Sequence, residues 1–95
     1  MFKIEYHEDS QIVSLMGNLD TSKTSEANEL LDKIENSITI DMSKLDFICS
    51  GGIGTLIKTY RRLKANGKNI YLTNLNSNMK KIFELALLDT VFDIK

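Results

Sequence analysis

An α/β fold built on a small mixed sheet of four to five strands is what this 95-residue sequence predicts, and three observations carry that reading. Short β-branched or alternating stretches are separated by longer stretches with apolar residues at helical spacing, the order that gives parallel crossovers. The first two strand-like stretches are joined by only a few polar residues, which makes them an N-terminal hairpin. The chain contains no proline, Pro/Gly-rich linker or low-complexity tract, so a single domain spanning 1–95 is expected.

The elements follow in order. In FKIEY, Phe2, Ile4 and Tyr6 alternate with Lys3 and Glu5, the period of a half-buried strand. HEDS is a polar turn, and QIVSLMG is the second strand. Ala27, Leu30, Leu31 and Ile34 then recur at i, i+3, i+4 and i+7, a helix with one buried face that Thr24 or Ser25 is placed to cap. SITIDM reads as a β-branched strand ending at Asp41 and Met42, with SKLDF as the following turn. Ile53, Leu56, Ile57, Tyr60 and Leu63 predict a second helix, with Lys58, Arg61, Arg62 and Lys64 on its other faces and Gly67 suited to the left-handed turn that ends it. NIYLTNL is a further strand. SNMKKIFELALL is a last helix, capped by Ser77 and buried through Met79, Ile82, Phe83, Ala86 and Leu87. DTVFDI returns to the core.

Composition removes several function classes. No apolar run approaches the roughly 20 residues of a membrane span. The acidic, alternating start MFKIEYHEDS lacks the pattern of a secretion signal, so the cytoplasm is the expected location. Cys49 is the only cysteine, which leaves no internal disulfide and no zinc-type cluster. The net charge of −1 is unevenly spread. Residues 1–45 hold four lysines against nine acids, and residues 46–95 hold eight basic residues against four acids. Such asymmetry orients a charged partner, but without a dense basic stripe or a base-reading motif it does not indicate nucleic acid.

The chemistry-bearing stretch is DFICSGGIGTLIKTY, Asp46 to Tyr60, where glycines and a serine stand between a strand-like run and a helix. In open α/β sheets that corner, at the carboxyl end of a strand, is where functional groups collect. It is not a dinucleotide or P-loop: Ile57 stands where a third fingerprint glycine belongs, and no GK[ST] follows. A serine nucleophile needs a base, and the only histidine, His7, sits beside Glu8 and Asp9 in the hairpin turn. Asp89 and Asp93 have no evident acid–base partner. Cys49 reads as a small filler at a strand end, since a thiol phosphatase would want an arginine where Thr55 stands. These residues give no enzyme, metal site or cofactor. Ser50 is placed to cap the helix, and the small Gly51 and Gly52 leave it open to another protein's active site.

In DMSKLDFICSGGIG the chain resembles the STAS domain family, and within it the stand-alone bacterial anti-sigma-factor antagonists. That family's pattern runs from a strand ending in D-[LM]-S, through an aromatic and an aliphatic residue, to D-S-[ST]-G-[LI]-G at a helix start. Asp41, Met42, Ser43, Phe47, Ile48, Gly52, Ile53 and Gly54 match it, Ser50 falls on the phosphoacceptor serine, and Gly17 and Asp20 of GNLD match a loop near that serine. Cys49 and Gly51 depart from the usual acidic residue and Ser or Thr. The resemblance implies helices mainly on one side of the sheet and a non-catalytic switch with no cofactor. Unphosphorylated, it binds an anti-sigma factor with serine kinase activity; phosphorylation of Ser50 releases it, and a PP2C-type phosphatase reverses the mark. Asp20, Thr21 and Ser22 are expected to flank Cys49, Ser50, Gly51, Gly52, Ile53 and Thr55 and form the partner-binding surface with them, the helix adding its exposed basic side chains. A monomer or weak dimer is expected. The competing reading is a nucleotide-binding or scaffold module in which Ser50 is never modified.

Overall fold

The computed structural model describes the whole chain, Met1–Lys95. Five strands form one sheet in the order β1-β2-β3-β4-β5: β1 (Phe2–His7), β2 (Ile12–Leu19), β3 (Ile38–Ile48), β4 (Ile70–Thr73) and β5 (Asp93–Ile94). The β1–β2 hairpin is antiparallel and the other three pairings are parallel. Three helices connect them: α1 (Thr24–Leu31), α2 (Ser50–Ala65) and α3 (Ser77–Leu85). The mixed sheet and its N-terminal hairpin are therefore as the sequence predicts.

Alternation along the strands decides where the helices go. Phe2, Val13, Leu15, Ile38, Ile40, Ile70 and Leu72 point into one continuous core with Leu56, Leu63, Met79 and Phe83 of the helices. The intervening residues, among them Lys3, Glu5, Ser14, Thr39, Asp41, Tyr71 and Thr73, make the opposite face polar, and no helix covers it. Sheets with parallel pairings are usually sandwiched between helices, and strands so buried read as continuous apolar runs. Here the polar alternation itself keeps the second face in water.

β3 is the main departure from the sequence reading, because SKLDF is strand and not turn. Two bulges explain it. Ser14 pairs with Asp41 and Met16 with Lys44, and Gly17 pairs with Leu45 and Asn18 with Phe47, so β3 twice carries one residue more than β2. Each extra residue slips the alternation, and the buried positions run Met42, Leu45, Ile48 at intervals of three. Gly17 likewise lies in β2 rather than in a loop. Its φ of 81° and the carbonyl oxygen of Met1, which would collide with any Cβ there, both require glycine.

The helix ends also differ. Lys23 precedes α1 with no side-chain cap; Thr24 donates its hydroxyl to Thr21 O, and Asp20 caps the short 3₁₀ turn Thr21–Lys23 that leads in. At the other end of α1, the Arg62 guanidinium donates to Leu31 O and Ile34 O, both at 2.8 Å, satisfying carbonyls the helix leaves open. Arg62 is thus a structural tie between α1 and α2. Asn76, not Ser77, caps α3 through Met79 N at 2.8 Å. Ala86 and Leu87 are exposed, because Leu87 adopts φ 58° and turns the chain so that Leu88 and Phe92 enter the core instead. Phe92 meets Tyr60 and Phe83 edge-on, with ring centroids 5.3 and 6.1 Å away. DTVFDI returns to the core as expected.

Candidate functional site at the carboxyl ends of two parallel strands

Parallel pairing brings two loops to the same edge. Leu19 is opposite Ile48, and the Cys49 amide donates to Leu19 O at 2.9 Å, so the chain leaves β2 at Asp20 beside the point where it leaves β3 at Cys49. The two leaving segments are the start of the Asp20–Lys23 turn and the start of α2.

Cys49, rather than Ser50, is the N-cap of α2. Its backbone is extended, and its half-buried sulfur accepts the Gly52 N–H at 3.3 Å. Sulfur is a weak acceptor, so this cap holds less firmly than a serine or aspartate would. Ser50 becomes the first helical residue and is exposed, with exposed Gly51 beside it. Its hydroxyl therefore lies where the helix dipole is positive and the first backbone N–H groups have no intrahelical partner.

The glycines behind Ser50 have different tasks. A Cβ on Gly52 would lie 2.8 Å from an Ile48 side-chain carbon and 2.9 Å from one of Leu19, so only glycine lets α2 sit this close to the ends of β2 and β3. A Cβ on Gly51 would meet the Thr24 methyl at 3.3 Å, a tight contact with the start of α1. Gly54 faces open space. Thr55 is buried and returns its hydroxyl to Gly51 O at 3.1 Å; Thr59, also buried, does the same to Thr55 O at 3.0 Å. Gly52 and Thr55 consequently hold the helix and offer a partner no surface, contrary to the sequence expectation. Ile53 is half-buried against the core.

Asp20, Thr21 and Ser22 are exposed on the adjoining turn. The Asp20 carboxylate accepts the Ser22 hydroxyl at 2.6 Å and the Ser22 amide at 3.0 Å. Chiefly through the Ser22 hydroxyl, with Lys23 and the amino terminus also nearby in charge, its carboxyl is held below the usual aspartate range. Asp20 therefore caps its turn while presenting a fixed negative charge beside the Ser50 corner. Of the basic side chains on α2, Arg61 and Lys64 are exposed, whereas Lys58 pairs with Asp32 at 3.3 Å and Arg62 is committed to α1.

Asp41, of the D-M-S stretch, sits apart from this corner. Burial pushes its carboxyl up, but hydrogen bonds from Ser43 N at 3.0 Å and Asn74 Nδ2 at 3.1 Å outweigh this and hold it below the usual range. It ties β3 to the end of β4. His7 is exposed at the end of β1, and no group of three His, Cys, Asp or Glu side chains is arranged to hold a metal ion.

One residue at the corner goes unnoticed in the sequence reading of the surface. Phe47, opposite exposed Asn18 and two positions before the cap, is 46% exposed. The signal that finds it is the interval-of-three burial in β3, which turns Leu45 and Ile48 inward and leaves Phe47 out.

Comparison with known proteins agrees with this geometry. An anti-sigma-B factor antagonist of Staphylococcus epidermidis is 23% identical over 84 residues, spanning 84% of this chain and 78% of that protein. An anti-sigma factor antagonist from Mycobacterium paratuberculosis superposes with a TM-score of 0.83 at 20% identity, covering 99% of this chain and 83% of the other. The Bacillus cell fate determinant SpoIIAA in its phosphorylated form gives 0.73 at 20% identity, covering 100% and 91%. The unphosphorylated anti-sigma factor antagonist SpoIIAA gives 0.69 at 21% identity, covering 96% and 97%. The family model for the STAS domain matches residues 2–95, and the chain belongs to the STAS domain family.

Proposed function

We propose that this protein is an anti-sigma-factor antagonist, a non-catalytic switch that binds an anti-sigma factor with serine kinase activity and is released when Ser50 is phosphorylated. The observation that carries the reading is the exposed Ser50 hydroxyl at the first position of α2, on a corner shared with the exposed Asp20–Ser22 turn. Relatives named as anti-sigma-factor antagonists, one of them solved in both phosphorylation states, support it. The protein acts in the cytoplasm as a single domain, and a PP2C-type phosphatase resets it.

The physical logic is a difference between scaffold and interface. A phosphate adds about −1.5 to −2 charges at neutral pH, and at a helix N-terminus the macrodipole favours it by roughly 0.3–1 kcal/mol. α2 therefore tolerates the modification. The partner does not, because burying a dianion at the interface costs several kcal/mol. Moving occupancy from 99:1 to 1:99 requires about 5.5 kcal/mol, far more than the roughly 1 kcal/mol of a lost serine hydrogen bond. The electrostatic penalty accounts for the switch, and the hydroxyl alone does not. Asp20, Thr21, Ser22, Cys49, Ser50 and Gly51 form the contact surface, with Phe47 as its apolar anchor.

The test is to incubate the protein with ATP and its cognate anti-sigma kinase and to map phosphate by mass spectrometry. Phosphate on Ser50, and none in the Ser50→Ala variant, is the expected result. No incorporation, together with equal partner binding by the Ser50→Ala and Ser50→Asp variants, would leave a nucleotide-binding or scaffold module as the function.

A further inference from the structure

The two edges of the sheet are unlike. β5 is two residues long, a short edge of the kind that resists pairing. β1 is six residues long, and the sheet ends at it. Its free backbone groups follow from the hairpin register. Asn18 N donates to Met1 O at 2.7 Å, so in the antiparallel ladder Lys3, Glu5 and His7 bond inward to β2, while the N–H and C=O groups of Phe2, Ile4 and Tyr6 point outward.

We infer that this edge is a self-association surface on which β1 of a second copy pairs antiparallel to β1 about a two-fold axis through Ile4. The register is selected by the sequence. With Ile4 opposite Ile4 of the second copy, Phe2 faces Tyr6, and every outward-pointing residue lies in a hydrogen-bonded pair. In the same register Lys3 faces Glu5 of the other copy, in the closer non-hydrogen-bonded pairs. Shifting the axis to Lys3 or Glu5 puts like charges directly opposite each other, which is destabilising.

Lys3 and Glu5 already stand on the same polar face, 3.8 Å apart, with side chains 62% and 44% exposed. A second copy completes a square of alternating charges from two such pairs. On the other face, Ile4 and Tyr6 with Leu30 and Ile34 line an open cavity of about 500 Å³, rimmed by Glu26, Glu29 and Lys33. The half-buried Ile4 and Tyr6 of the second copy's β1 cover its open side, while Phe2 stays in its own core. Isologous pairing of this kind uses one patch twice. It leaves the Ser50 corner free, because that corner lies at the ends of β2 and β3 rather than on the outer edge of β1. The inference is independent of the proposed switch.

Sedimentation equilibrium of the full chain, with hydrogen exchange at the same concentrations, tests this. The natural sequence is expected to dimerise with rising concentration and to gain amide protection at Phe2, Ile4 and Tyr6. Lys3→Glu alone and Glu5→Lys alone each replace opposite charges by like ones and are expected to weaken self-association roughly tenfold or more. Mixing the two variants puts an acidic β1 against a basic one and is expected to restore the dimer, an outcome misfolding could not produce. A chain that stays monomeric up to millimolar concentration, a dimer indifferent to both variants, or a mixture that fails to associate would each overturn the inference.

Discussion

The inner and outer faces of the first turns of α2 come from one stretch of sequence and have opposite requirements. Inside, Gly52 is pressed against Leu19 and Ile48, and Thr55, Leu56 and Thr59 are buried. Outside, Ser50, Gly51 and Gly54 are exposed, and a side chain at Gly54 would meet nothing. A residue therefore cannot be assigned to the partner surface because it lies in the motif. Gly52 and Thr55 are needed so that Ser50 is held at the corner, and Ser50 is needed by whatever comes to it.

Substitutions break this comparison in a graded way. The largest effect is expected at the partner, where phosphate on Ser50 weakens binding by several kcal/mol while chemical denaturation of the free protein changes little. Inside the helix, Leu56→Ala should lose about 2–5 kcal/mol of stability, read from urea midpoints. Gly52→Ala should lose about 1–3 kcal/mol, because the new methyl has packed side chains on two sides. Gly54→Ala, two residues away, should instead gain about 0.4–1 kcal/mol by restricting the unfolded chain. At a domain of this size each kcal/mol moves the melting temperature by roughly 4–8 °C, so the two glycines are distinguishable by sign in a single pair of melts.

The smallest effect is a pH dependence. The Asp41 carboxyl is held below its ordinary value by the Ser43 amide and Asn74, so its contribution is present above about pH 4, the unfolded value, and is lost as pH falls through the lower folded value. Acid titration of stability should show this loss in the natural protein and less of it in Asp41→Asn. A variant with an unchanged acid limb would remove Asp41 as a tie between β3 and β4.

How much could be read from the sequence depended on whether a periodicity was kept. The hairpin, the first four strands in order and α2 were legible because Phe2, Ile4, Tyr6 and then Ile53, Leu56, Leu63 hold one period throughout, whereas β5, only two residues long, shows no period and reads simply as a return to the core. The second half of β3 was not legible, because its two bulges change the interval from two to three and make a strand look like a turn. The exposure of Phe47, a residue the motif contains, likewise shows only once this segment is paired as strand. Caps were legible only as a choice among neighbours: Cys49 and Asn76 each stand one residue before the serine that composition favours, and the backbone path decides between them. Leu87 was unreadable for a similar reason, since a left-handed leucine contradicts its own propensity and is imposed by the return of Phe92 to the core. At the site, Ser50 and the Asp20 turn were visible as residues; that they share an edge follows from the parallel pairing of Leu19 with Ile48.

Calorimetric titration of the cognate anti-sigma kinase with the protein, unmodified and phosphorylated at Ser50, addresses the switch most directly when both forms are melted alongside. The account predicts a loss of affinity on the order of ten-thousandfold, about 5.5 kcal/mol, with melting temperatures that nearly coincide. Equal affinities for the two forms, or a phosphorylated form that binds poorly because α2 itself has come apart, would contradict it.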